Sequence, residues 1–299
     1  MNDIFAWTVI IILLVLVVYF AIKFLKTKLF YFSKMDSSQV FTKDVKIPIG
    51  DIELSGKLIF PKFVLDENNR PKEKLPLIFF NHGWSAGIDI SMTWAPAYAI
   101  AIGGPYAVLL YDCRGHGNSP GKRIFSEQIF DDIPEVFDFG EKLEDIDPNR
   151  LGFIGFSFGG EVALSRAYPD KRIKAVVACC TPHNAKVNFS RKPATFKDRM
   201  MLSMLKARGV NYKKITDEMN LRISPEFVIN GSKTDLNSRV LLVHAKNDKT
   251  ISFIECEKNR KALNSPEENV LFFENGGHAM FHQELSIVAS ALRFFKEKL

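Results

Sequence analysis

The sequence predicts an α/β domain, a mostly parallel sheet with helices on both faces, behind an N-terminal membrane-spanning helix. Three observations predict it. From residue 75 on, short and almost continuously apolar runs recur at 75–80, 106–111, 151–154, 173–180, 240–244 and 270–273. Strands buried on both faces read as such runs, and helices fill the stretches between them. Ahead of these, 45–49 and 52–60 alternate in polarity across Gly50-Asp51, which predicts an antiparallel hairpin. Finally, 4–22 carries no charge. A chain of 299 residues suits one large domain plus such an attachment.

Taken in order, the N-terminal run comes first. A helix needs about 20 apolar residues to span a bilayer core of ~30 Å, and 4–22 approaches that length. Trp7 and Tyr19 stand near its ends, where interfacial aromatics are expected. A cleaved signal peptide is the weaker reading, because Met1-Asn2-Asp3 has no basic side chain and Ala21-Ile22-Lys23 is a poor cleavage site. Lys23, Lys26, Lys28 and Lys34 follow the run and Asp3 precedes it. Lysine-rich flanks stay cytoplasmic, so the expectation is a single-pass membrane protein with its main domain in the cytoplasm. Residues 1–34 are expected to be anchor and basic tether, and 35–299 the domain.

Within the domain, Ile129, Ile133, Val136, Phe137 and Leu143 fall close to helical spacing and predict one helix over 125–143. Residues 281–299 predict an amphipathic C-terminal helix ending at Lys296 and Lys298. The nearly sixty residues from 181 to 238 separate two strands where a short connection is usual, so they read as an insertion, with its body at about 183–238. Inside it, 196–208 is a Met-rich helical pattern in which Met201, Met204 and Leu205 share a face beside Met200. Two readings stay open: that face roofs an apolar pocket, or it packs the insertion onto the core. Basic residues of the tether and insertion account for the net charge of +6. They suit anionic headgroups or plain solvation, and no interleaved aromatic pattern points to nucleic acid. Cys113, Cys179, Cys180 and Cys256 lack metal-site spacing and read as buried thiols.

The chemistry concentrates at the ends of the predicted strands. Gly155-Phe156-Ser157-Phe158-Gly159 follows an apolar run and opens a helix-compatible stretch, with a further Gly160. Strand, sharp turn and helix raise a serine hydroxyl clear of the sheet, so Ser157 is the candidate nucleophile. Asp248 follows the run 240–244, and His278 follows 270–273 through Gly276-Gly277, which let a loop fold back. His278 is the candidate base and Asp248 its orienting carboxylate. Asn81-His82-Gly83-Trp84 closes the run 75–80. The amides of Trp84 and Phe158 are the candidate oxyanion donors, each worth roughly 3–4 kcal/mol in a transition state. His82 reads as a loop brace, and 112–119 as a Gly-rich loop with an internal Asp–Arg pair.

His82-Gly83, the loop from Asp112 to Ser119, the Ser157 pentapeptide, Asp248 and Gly277-His278, in that order, make 40–299 resemble the serine hydrolases of the α/β-hydrolase superfamily. The nearest in character are esterase, lipase and peptidase-like members with an inserted lid. The resemblance implies the α/β-hydrolase fold, a cap over the site at the insertion, and Ser-Asp-His acyl-enzyme chemistry with no cofactor and no metal. It departs at Ala245, where a glycine often follows the strand histidine, and at Glu161, where many relatives are small or apolar. Glu161 reads as a helix brace. The expected function is cleavage of a small acyl ester or lipid-like substrate at the membrane. A peptidase or amidase, with Glu161 or Glu218 anchoring a peptide terminus, and a thioesterase are alternatives. A non-catalytic binding protein of the same fold is an alternative of another class. Oligomeric state is left open.

Overall fold

The computed structural model describes residues 2–31, 36–193, 196–232 and 237–299. Lys34 and the expected boundary between 34 and 35 lie outside them. The chain divides into two compact units, Met1–Ser37 and Ser38–Leu299. The first unit holds α1 (Asn2–Tyr31), ~45 Å long at 1.5 Å per residue. Its segment Phe5–Ile22 is exposed throughout and, by length and composition, able to cross a bilayer, a property that anchors and signal sequences share. The helix runs on past Ile22 to Tyr31, so the expected tether is helical at its start. Lysine and leucine are good helix formers, and no Gly or Pro interrupts 23–31.

The second unit is built on β1 (Val40–Ile49), β2 (Ile52–Pro61), β3 (Leu75–Asn81), β4 (Ala107–Tyr111), β5 (Ile146–Phe156), β6 (Ile173–Cys179), β7 (Val240–Ala245) and β8 (Val270–Phe273). The described residues form one eight-stranded sheet in the order β1-β2-β4-β3-β5-β6-β7-β8. β1 and β2 are antiparallel to their neighbours, and β3 to β8 are parallel to one another. Chain direction across the sheet reverses between β3 and β5, and the crevice at such a switch point is where open α/β sheets bind ligands. Register pairs Asn81 with Gly155, Phe156 with Cys179, Cys179 with Val243 and Ala245 with Phe273. The loops after β3, β5, β7 and β8 therefore leave one edge of the sheet.

Helices cover both faces: α2 (Ser91–Ile102), α3 (Glu127–Asp131), α4 (Ile133–Glu141), α5 (Phe158–Val162), α6 (Ala185–Ser190), α7 (Phe196–Ala207), α8 (Asp217–Ile223), α9 (Pro225–Gly231), α10 (Phe253–Ala262) and α11 (Glu284–Lys298). Leu77 and Phe79 of β3 point to a core shared with α3, α4 and α5, whereas Ile78 and Phe80 meet α2 and α11. Both sides of the strand are thus buried, which is why it reads as a continuous apolar run.

Two helix expectations are corrected. The single helix over 125–143 is α3 and α4, because Pro134 sits in the first turn of α4 and has no N–H for the carbonyl of Phe130. The C-terminal helix starts at Glu284, not 281, because Met280 and His282 have φ of 53° and 69°, left-handed values a helix does not admit.

The insertion between β6 and β7 carries α6 to α9. Asn184 Oδ1 accepts from the Val187 amide at 3.0 Å and Thr216 Oγ1 from the Met219 amide at 3.1 Å. Such caps contribute about 1 kcal/mol each. Ala185, Val210, Ile215, Met219, Ile223 and Ile229 join the main core, so the insertion is packed into the domain.

Candidate active site

Ser157 stands between β5 and α5 with φ 57° and ψ −112°, a conformation that costs a non-glycine residue about 1–3 kcal/mol. Close backbone approach holds it. The Ser157 amide donates to Cys179 O at 2.8 Å, and its carbonyl accepts from the Glu161 amide at 3.0 Å. A Cβ on Gly155 would lie 2.0 Å from Gly159 O, and one on Gly159 2.2 Å from Asn81 O. The pentapeptide needs both glycines because the elbow presses on itself and on the end of β3. A Cβ on Gly83 would lie 3.6 Å from Ser157 Cβ, so the loop that carries Trp84 abuts the serine.

The loops after β7 and β8 deliver the other two candidates. Gly276 and Gly277 have φ of 135° and 62°, and the Gly277 amide donates to Asn247 Oδ1 at 2.8 Å. This fold-back brings His278 Nε2 to 2.8 Å from Ser157 Oγ and Nδ1 to 2.8 Å from Asp248 Oδ2. Asp248 Oδ1 accepts from the amides of Thr250 and Ile251 at 2.8 and 3.1 Å. His244, fully buried at the end of β7, puts Nε2 3.4 Å from Asp248 Oδ2 and 3.0 Å from Ile251 O. Burial pushes the Asp248 carboxyl up, but hydrogen bonds from His244 and His278 outweigh it and hold it below the usual carboxylate range. Sequence reasoning missed His244 as a partner of Asp248. Its signal was a histidine four residues before the aspartate, at a strand end.

Cys180 Sγ, Asp248 and His278 have potential ligand atoms within 4.8 Å of one another. This trio is a poor metal cradle. Burial and the nearby Asp248 charge push the Cys180 thiol well up, away from the thiolate that binds metal, and both ring nitrogens of His278 are engaged.

Around the neighbouring loop the outcome is mixed. His82 braces it: Nδ1 meets Gly83 O at 2.8 Å and Nε2 accepts from the Cys113 amide at 3.1 Å. Burial lowers His82 to about 4, so it is the neutral ring that does so. The expected internal Asp–Arg pair does not form. Asp112 accepts from the amides of Ile88 and Asn118 at 2.7 and 2.8 Å, which commits its carboxylate to the loop backbone. Arg114 instead makes a two-point bond to Asp132, at 2.8 and 2.7 Å. The Trp84 ring packs edge-on against Phe158, 5.4 Å between centroids, and its Nε1 donates to Arg208 O at 2.9 Å, tying the strand-end loop to the insertion.

A cavity of about 220 Å³ opens on Ser157 and His278, walled by Trp84, Phe158 and Phe189. Met201, Met204 and Leu205 of α7 line it from the insertion, with the exposed Arg208 after them, whereas Met200 does not. Glu161 also lines it, 1% exposed, and its Oε1 has no hydrogen-bond partner among the described residues. The helix-brace reading of Glu161 thus lacks the polar partner it needs. Glu218 is exposed on α8 and does not line the cavity.

A family model described as alpha/beta hydrolase fold matches residues 76–209. The chain is 32% identical over 127 residues to an acyltransferase, drtE, of Aspergillus calidoustus, 39% of this chain and 41% of that one. It is 30% identical over 108 residues to a thiohydrolase, aneE, of Aspergillus aculeatus, 35% of this chain and 33% of the relative. Each match spans less than half of the relative. Among solved structures, Est1E of Butyrivibrio proteoclasticus with bound ferulic acid superposes with a TM-score of 0.61 at 18% identity, over 85% of this chain and 98% of that one. Identity that low speaks for architecture alone, and the architecture of this chain is the α/β-hydrolase fold.

Proposed function

We propose that this chain is a membrane-anchored serine hydrolase that cleaves small carboxylic esters through an acyl-enzyme. The observation that carries the reading is the unbroken chain from Ser157 Oγ through His278 to Asp248, 2.8 Å at each step. Ser157 attacks the acyl carbonyl and His278 Nε2 takes its proton. Asp248 keeps Nδ1 protonated and stabilises the imidazolium. The amides of Trp84 and Phe158 hold the oxyanion, and His278 then protonates the departing alcohol. Water, activated by the same ring, releases the acid. No step calls for a cofactor or metal.

The cavity beside Ser157, walled mainly by apolar and aromatic side chains, supports an acyl substrate. The anchor reading rests on the apolar length of α1 and the lysines after it, which also favour a cytoplasmic domain. A second reading, cleavage of thioesters, is favoured by the names of the partial relatives, an acyltransferase and a thiohydrolase. Both readings share the acyl-enzyme. The test is labelling by a fluorophosphonate probe, followed by kcat/KM on matched oxygen and thiol esters of one short acid. Labelling lost in Ser157→Ala, with hydrolysis of either series, supports a serine hydrolase. An unlabelled wild-type protein inert on both rejects it in favour of a binding protein.

A further inference from the structure

The acyl cavity is apolar in all but a few places, and one of them has no structural duty. Ser157 and His278 are engaged with each other, and Thr250 and Arg208 stand toward the exposed side. Glu161 differs. It lies one helical turn past Ser157, its amide held by the Ser157 carbonyl, so its side chain is fixed relative to the nucleophile. It is buried and lines the cavity, and its Oε1 has no partner among the described residues. A buried polar atom without a partner costs about 1–3 kcal/mol, and a group inside the substrate that completes the bond removes that cost.

We infer that Glu161 is a specificity-determining residue that hydrogen-bonds an uncharged acceptor, exemplified by a ketone carbonyl, carried by the acyl part of the substrate. This rests on the hydrolase reading above. Burial, only partly opposed by the Arg166 charge, raises the Glu161 carboxyl well above its ordinary value, which favours the protonated, hydrogen-bond-donating form. The charge that acts on it is the Arg166 guanidinium, and the cavity wall carries a second cation in the exposed Arg208. They disfavour a substrate ammonium. An apolar acyl chain of the same length would leave Oε1 orphaned, and a site built for a hydrogen bond discriminates against the analogue that lacks it.

The test compares 4-nitrophenyl hexanoate with its 4-oxo, 5-oxo and 6-ammonio derivatives on the full chain, each preparation normalised by fluorophosphonate titration of Ser157. In the wild type, one oxo ester should exceed plain hexanoate in kcat/KM by about tenfold, one bond's worth, with an optimum at one carbon. Glu161→Gln, which keeps a donor, should hold that ratio to within threefold. Glu161→Leu should bring it to about one. The wild-type series needs no variant to fold. A labelled, active wild type with a flat oxo series overturns the inference alone. So does a ratio that survives in Glu161→Leu, or a preference for the ammonio ester, which would make the site anionic. A protein that neither labels nor hydrolyses any of the four rejects the hydrolase reading, and the inference with it.

Discussion

His278 Nε2 lies 2.8 Å from Ser157 Oγ across 121 residues of chain. Nothing local brings them together. The parallel register of β5, β6, β7 and β8 aligns the strand ends, and the loops after β5 and β8 then need to reach only across their width. The same bond gives the first prediction. Ser157→Ala should lower ester turnover by on the order of 10⁶-fold while the fold persists, because the change removes one hydroxyl from a half-buried position. Steady-state hydrolysis and a circular dichroism melt check both. Retention of more than a tenth of the activity would reject Ser157 as nucleophile.

His278 and Asp248 should be unequal. His278→Ala removes the proposed base and should approach the loss expected for Ser157→Ala. Asp248→Asn should leave more residual activity, since the aspartate orients and stabilises the ring. Asp248 also affects stability. Its folded value is held below its unfolded one, near 3.9, so its contribution is complete above that value and fades as pH falls through the folded one. Asp248→Asn should therefore melt lower than the wild type at pH 7, with a gap that narrows in acid. A gap that widens in acid contradicts the arrangement with His244 and His278.

Much of this is legible in the sequence because the chemistry sits at strand ends, and apolar runs that give way to polar or Gly-rich turns mark those ends. Ser157, Asp248 and His278 each follow such a run. What was not legible depends on packing between distant segments. Arg114 lies two residues from Asp112 yet bonds Asp132, because backbone amides had already claimed Asp112. Pro134 was visible and does split the expected helix. Whether Glu161 faces solvent, core or cavity is decided by the insertion that closes over it, which no local pattern encodes.

Deleting residues 1–34 should give a soluble, active enzyme. The catalytic candidates and the sheet all lie within Ser38–Leu299. Full-length protein should remain in the membrane fraction after a high-salt wash, because salt screens charge but does not extract a spanning helix. Recovery of the full chain in the soluble fraction without detergent would count against the anchor.

Met201 and Met204 line the cavity from α7, so polar replacements there should act through acyl length. Each buried CH₂ contributes about 0.8 kcal/mol, so Met201→Gln with Met204→Gln should slow hexanoyl ester hydrolysis severalfold and acetyl ester hydrolysis little. Equal losses on both esters at matched folded fraction would leave these methionines as packing residues only.

The last prediction separates the cost of Glu161 from its use. Its folded value is raised by burial, so the folded state holds a proton that the unfolded chain gives up near pH 4.5. Stability is therefore lost as pH climbs from the unfolded value to the folded one, and the loss is constant above that. Glu161→Gln keeps the size and a hydrogen-bonding tip but cannot ionise. It should melt a few degrees above the wild type at pH 8, at ~2–4 °C per kcal/mol for a domain of this size. At about pH 3, well below the unfolded value, the glutamate is neutral in both states and the two should melt together. If Glu161 were instead ionised and paired, the signs would reverse, and the glutamine variant would be the less stable protein at pH 8. Thermal melts of both proteins across that range therefore report the protonation state on which the hydrogen bond to substrate depends.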